Sequence, residues 1–236
     1  MSIKENLQTI RSQIAKAAAS IGRDPNEITI IGAVKNQPTE KIIEALEAGL
    51  TDIGENKVQE AKVRYEEIKS KFPNVTWHMI GHLQRNKVRQ ALDVFDIIHS
   101  LDSERLAREI SEKGRGAGDG GRISVLVEVN TSGEETKYGI PADSTIDFLK
   151  KLSKFGNIKV QGLMTIAPLI DDPEKVRPYF KKLKDLSENI KKLNLPNIEM
   201  KYLSMGMTDD FSVAIQEGSN MVRIGRAIFG PRPPKL

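Results

Sequence analysis

The chain contains no cysteine, a single tryptophan and only 5% aromatic residues among its 236 positions. Without cysteine it can form no disulfide, no thiolate metal site and no cysteine nucleophile. No apolar stretch approaches the roughly 20 residues needed to cross a bilayer. The opening Met1-Ser-Ile-Lys-Glu-Asn lacks the apolar run of a secretion signal, so a cytoplasmic address without membrane contact is expected. Composition breaks and internal repeats are missing as well, which points to one domain over residues 1–236. A one-signed charge patch is also absent: the net charge of +4 comes from Lys and Arg interleaved with Asp and Glu. The densest basic stretch, Lys181-Lys182-Leu183-Lys184 with Lys191-Lys192, shares a helical pattern with apolar Val176, Phe180, Leu183, Ile190 and Leu193. That pattern is a solvated helix face, and a nucleic-acid partner is not expected.

What is present is alternation. Residues 3–21 read as an amphipathic helix with Ile3, Leu7, Ile10, Ile14 and Ala18 on one stripe, ended by Gly22 and Pro25. Short apolar runs then predict strands at 28–34, 51–54, 76–80, 97–100, 123–129, 160–165, 199–203 and 221–224. Helical patterns fall at 40–48, 58–69, 87–92, 104–113, 144–155, 174–193 and 210–217. This is an α/β chain, and eight strands are the count of a single (β/α)8 TIM-type barrel over about 28–230, with an extra N-terminal helix. An open doubly wound sheet would alternate in the same way; only the count favours the barrel. Gly116-Ala-Gly118-Asp-Gly-Gly121 matches G-x-G-x-x-G, but it comes after a helix and precedes a strand, the reverse of the dinucleotide fingerprint. It reads as a flexible connection, and the residues after 230 read as a short tail.

Three elements carry chemistry. Lys35 stands where the first strand ends, in Val34-Lys35-Asn36-Gln37-Pro38, since the proline cannot continue a central strand. In a barrel the C-terminal ends of strands hold the ligand and catalytic groups. A lysine there offers an amine for a Schiff base, whereas most lysines only keep their ammonium in water. Ser204-Met-Gly206-Met-Thr208 comes after the seventh strand, where Gly206 admits close approach and two hydroxyls add donors; any helix start looks similar. Arg223-Ile-Gly225-Arg226 closes the eighth strand, and alternation sets Arg223 on the face opposite Val222 and Ile224. The loops after strands seven and eight are the usual phosphate site of barrel enzymes. An aldehyde-capturing amine and a distant phosphate pocket are the two handles that hold pyridoxal 5'-phosphate (PLP). Asn56, at the end of the second strand, can reach the same pocket, and Glu55 can pair with a basic neighbour. His78 and His82 have no third ligand in view, which argues against zinc. Lys137 is another rim lysine.

The ordered blocks resemble one family. They are Lys35 with Pro38, Ile53-Gly-Glu-Asn56-Lys-Val-Gln-Glu60, Trp77-His-Met-Ile-Gly-His-Leu-Gln84-Arg-Asn-Lys87, Gly162-Leu-Met164, Leu203-Ser-Met-Gly-Met-Thr208-Asp-Asp210 and Val222-Arg-Ile-Gly225-Arg-Ala-Ile-Phe-Gly230. Over about residues 28–230 the chain is similar to the pyridoxal phosphate homeostasis proteins, related to the N-terminal barrel domain of alanine racemase. The resemblance implies PLP held as a Schiff base on Lys35, with Ser204, Gly206, Met207, Thr208 and Gly225 around the phosphate. It also implies Arg223 at the pyridine nitrogen and Asn56 lining the pocket. Two positions depart from the pattern: Val34 replaces the usual Ser or Thr, and Gln37 replaces the second lysine of some relatives.

The implied protein stores and releases PLP in the cytoplasm as a monomer or homodimer, with little or no catalysis and PLP-dependent apoenzymes as candidate recipients. An arginine at the ring nitrogen makes a weak electron sink. The alternatives are a single-domain PLP-dependent amino-acid racemase and a Schiff-base aldolase acting on sugar phosphates without PLP.

Overall fold

The computed structural model describes residues 2–114 and 122–231. The Gly116–Gly121 connection and residues 232–236 lie outside the described residues. Helix α1 (Ile3–Ala19) starts on a reciprocal cap: Ser2 Oγ accepts the Glu5 N–H at 3.2 Å, while Glu5 Oε2 accepts the Ser2 N–H at 2.7 Å. Its buried stripe of Ile3, Leu7, Ile10, Ile14, Ala17 and Ala18 obeys the helical period. The helix stops two residues short of the expected 21, which leaves Ile21 exposed.

The barrel strands are β1 (Thr29–Ala33), β2 (Asp52–Glu55), β3 (Thr76–Met79), β4 (Ile97–Leu101), β5 (Ile123–Asn130), β6 (Ile158–Met164), β7 (Ile198–Ser204) and β8 (Met221–Ile224). All pair in parallel; β1 lies between β2 and β8, and β4 with β5 completes the circuit. The sheet is therefore a closed eight-stranded barrel, as the strand count anticipates. A two-residue strand, Ile140–Pro141, pairs alongside β5 outside that circuit.

The other helices are α2 (Thr39–Glu47), α3 (Val58–Lys71), α4 (Val88–Leu92), α5 (Glu104–Lys113), α6 (Thr145–Leu152), α7 (Arg177–Lys192), α8 (Phe211–Gln216) and α9 (Arg226–Phe229). The pattern read as one helix over 174–193 divides into a 3-10 turn, Pro173–Val176, and α7. Pro178 occupies the first turn of α7, where a missing N–H costs nothing. The four-residue α9 has no counterpart among the expected helices, being too short for a periodic signal.

Two apolar regions result from strand alternation. The large one lies between barrel and helices. The small one, Ile31, Leu126, Met164 and Met221 with Ile97 and Tyr202, fills the barrel interior. Gly162 sits where β6 and β7 lose register; its φ is +157°, and a Cβ there would overlap the Tyr202 carbonyl. Outside, α1 packs on α2, α8 and α9, and Asn6 Nδ2 donates to Ile228 O at 2.8 Å.

Candidate functional site

Because the strands are all parallel, the segments that leave their C-terminal ends open at one end of the barrel. Lys35 arrives there on a tight turn in which the Gln37 N–H donates to Val34 O at 3.0 Å. Asn36 takes the left-handed region at φ 59° and donates its N–H to Glu60 Oε2 at 3.4 Å. Lys35 continues the alternate spacing of inward-facing Ile31 and is half-buried. Among the described residues its ammonium has neither ion pair nor hydrogen bond. Val34 is wholly buried in the core between barrel and helices, so its departure from the family pattern falls on packing. Gln37 is buried, and its side-chain oxygen lacks a hydrogen-bond partner among the described residues.

The two late loops meet beside that turn. β1 pairs with β8 through Gly32 and Ile224, and a Cβ on Gly225 would stand 3.4 Å from Ala33 O. Gly206 has φ +95°, and a Cβ there would come within 2.6 Å of Ala214 Cβ. Its carbonyl accepts the Arg223 N–H at 3.0 Å, and Arg226 pairs with Asp209, so the loops are tied together twice. Among the described residues the amide N–H groups of Gly206, Thr208, Gly225 and Arg226 have no acceptor. Buried backbone donors are almost always satisfied, and Gly206 is buried. Four open donors on two joined loops make an anion cradle. Met207 contributes less than expected, because Asp210 Oδ1 takes its N–H at 2.5 Å. Burial, only partly offset by that hydrogen bond, holds the Asp210 carboxyl above its ordinary range.

Ser204 sits below the cradle and not in it. Strand β7 runs through Ser204, one residue beyond the expected end, and alternation turns its side chain into the barrel. There Arg223 Nη1 donates to Ser204 Oγ at 2.6 Å and to Ser204 O at 2.7 Å, while Nη2 donates to Thr165 O at 2.8 Å. The Ser204 oxygen also lies 3.0 Å from His99 Nδ1. His99 Nε2 lies 2.9 Å from His78 Nδ1, and His78 Nε2 lies 2.9 Å from Asp52 Oδ1.

The two ends of this chain decide its protons. Arginine only donates and an ionised carboxylate only accepts. With one N–H on each ring, His78 Nε2 donates to Asp52, His99 Nε2 to His78, and the Ser204 hydroxyl to His99. In this arrangement every proton points from Arg223 towards Asp52. Burial first, then His78 and Arg223, holds His99 well below its ordinary value, in keeping with that assignment. Burial also pushes Arg223 down to about 10, which leaves it charged at neutral pH.

Glu55 points outward and pairs with Arg64, 3.3 Å away on α3; burial pushes it up to about 7. Asn56 comes next on the rim, half-buried, with Gly81 packed against its backbone. His78 and His82 do not act together: His82 pairs with Asp102 at 3.2 Å and stacks on Tyr138 at 4.1 Å. Among the described residues no group of three His, Cys, Asp or Glu side chains could hold a metal ion.

Sequence reasoning missed His99, Thr165 and Glu128. His99 could have been found, since a histidine two positions from inward-facing Ile97 shares its phase. Thr165 bonds through its backbone carbonyl, which no side-chain pattern announces.

The barrel and its rim match known proteins. The chain belongs to the alanine racemase, N-terminal domain family, whose model matches residues 2–233, and within it to the pyridoxal phosphate homeostasis proteins. The pyridoxal phosphate homeostasis protein of Aquifex aeolicus is 41% identical over 98% of this chain and 99% of its own length. That of Homo sapiens is 37% identical over 96% of this chain and 85% of its own. The structure of PipY of Synechococcus elongatus with PLP bound has a TM-score of 0.82 and 32% identity, over 97% of this chain and 100% of that one.

Proposed function

We propose that this single-domain barrel binds PLP through Lys35 and the cradle of the two late loops, and acts in PLP homeostasis with little or no catalysis. The carrying observation is the seam between β1 and β8, where a lysine without a partner stands next to a cluster of amides without acceptors, both among the described residues. The open amides of Gly206, Thr208, Gly225 and Arg226 suit a phosphate, and the Thr208 hydroxyl adds a donor. PLP supplies an aldehyde that Lys35 Nζ can bond covalently. Asn56, on the strand beside β1, bounds the side of Lys35 away from the cradle, and Arg223 would face the ring nitrogen.

Arg223 argues for holding over turnover. With Nη1 and Nη2 fixed on Ser204 and Thr165, it can only donate, so the ring nitrogen it faces stays without its own proton. The relatives' name points the same way, since they are called homeostasis proteins. A PLP-bound homologue whose whole length matches this chain supports the choice of ligand. PLP-dependent apoenzymes are the proposed recipients, and the cytoplasm the proposed compartment. Among the described residues no helix is long and apolar enough to cross a membrane.

The test is to add PLP, record the visible spectrum, reduce with borohydride and map the modified residue by mass spectrometry. Label on Lys35 is expected. A protein that stays colourless, or label confined to another lysine, overturns the assignment.

A further inference from the structure

Counting round the closed sheet in either direction, β5 lies four strands from β1. The rim over β5 therefore faces the Lys35 rim across the barrel mouth. On it lies Glu128, 6% exposed and in phase with inward-facing Leu126. Among the described residues its carboxylate has no hydrogen bond and no ion pair. Its remaining exposure opens into a cavity of about 160 Å³ shared with Thr136, Lys137, Tyr138 and Ile166. At about 30 Å³ per water, that is room for roughly five waters, or a ligand of similarly few heavy atoms.

A buried carboxylate without a partner is costly, and a cation in the cavity removes the cost. Among the described residues no group of three His, Cys, Asp or Glu side chains could hold a metal ion, and an ammonium is the cation that fits a single carboxylate. A phosphate would be repelled by Glu128. The second charge in the cavity is Lys137, whose Nζ lies 3.0 Å from Glu134 Oε1. Glu134 is about half exposed at 47%, while the Lys137 Nζ is itself buried and makes no hydrogen bond among the described residues, so it has donors left for an incoming carboxylate. Ile166 and the Tyr138 ring supply a short apolar wall.

We propose that this cavity binds a small α-amino acid as its zwitterion, with the ammonium on Glu128 and the carboxylate on Lys137. Burial, then the nearby Asp102 carboxylate, pushes Glu128 up to about 7, while Arg223 acts in the opposite direction. An arriving ammonium stabilises the ionised form. The inference stands on the cavity alone and does not require PLP on Lys35.

L-alanine is the probe, titrated calorimetrically into the full chain without PLP at pH 7.5, beside ethylamine and propionate. Saturable binding of L-alanine is expected, tighter than that of either fragment. Glu128→Gln, which keeps shape and removes charge, weakens L-alanine by about tenfold or more, as loss of a charged hydrogen bond does. Lys137→Met weakens L-alanine but not ethylamine. Absence of saturable L-alanine binding, or undiminished binding to a folded Glu128→Gln chain, overturns the inference. Borohydride labelling of Lys35 in the same preparation reports on the PLP reading separately.

Discussion

His99 Nδ1 stands 3.0 Å from the Ser204 hydroxyl, and this contact links Asp52 on β2 to Arg223 on β8 through the barrel interior. No member can change its proton without disturbing the next, because donors and acceptors alternate along the whole run. Ser204→Ala removes the donor to His99 and leaves a buried ring nitrogen without a partner. A loss of about 1–3 kcal/mol is expected in urea unfolding. Arg223 keeps the Ser204 and Thr165 carbonyls, so PLP capture survives. A change below about 0.3 kcal/mol would show that the hydroxyl is not a working joint.

Lys35→Ala deletes a side chain with no protein partner among the described residues. Stability should stay within about 0.5 kcal/mol of the parent, while PLP-dependent absorbance and borohydride labelling at position 35 disappear. A large fall in stability would give Lys35 a packing role that its surroundings do not indicate.

Glu128→Gln carries a pH signature. The Glu128 carboxyl is raised from an ordinary value of 4.5 to about 7, so the folded chain favours its protonated form. Its favourable share of stability is complete below pH 4.5 and is lost as pH rises through 7. The glutamine variant loses nothing over that interval. Its advantage in thermal unfolding should therefore be small near pH 4.5, grow between pH 4.5 and 7, and level off above that on the order of 3 kcal/mol. An advantage that shrinks as pH rises would contradict the sign.

Gly206→Ala tests the cradle. At φ +95° an L-side chain is strained, and the added carbon meets Ala214 Cβ and the Phe211 backbone. A stability loss of about 1–3 kcal/mol is expected, with weaker PLP binding than any Lys35-independent effect explains. Gly133→Ala is the control: its φ is +76°, but nothing lies within 4 Å, so only the backbone strain remains. Equal losses at both positions would remove the close-packing argument.

Much of the architecture was legible because alternating apolar runs and helical patterns mark a barrel even when each strand is short. The rim lysine and the two glycine loops were legible for the same reason: strand ends locate them. The seventh strand runs one residue past its expected end, through Ser204, and alternation turns that side chain into the barrel. His99 was passed over because it looks like a stray polar group until the closed sheet brings partners from distant strands around it. Charge patterning could not reveal Glu128, since its importance lies in having no neighbour to pair with. The short α9 also escaped, being too brief for periodicity.

The seam between β1 and β8 joins residues that are far apart in the order of synthesis. Lys35 emerges from the ribosome well before Gly206, Thr208 and Gly225. A nascent chain thus cannot grip the ligand with both hands until translation has passed all eight strands. Occupancy then works as a latch across the last closure, and the loaded barrel should resist proteolysis at β1 and β8 together.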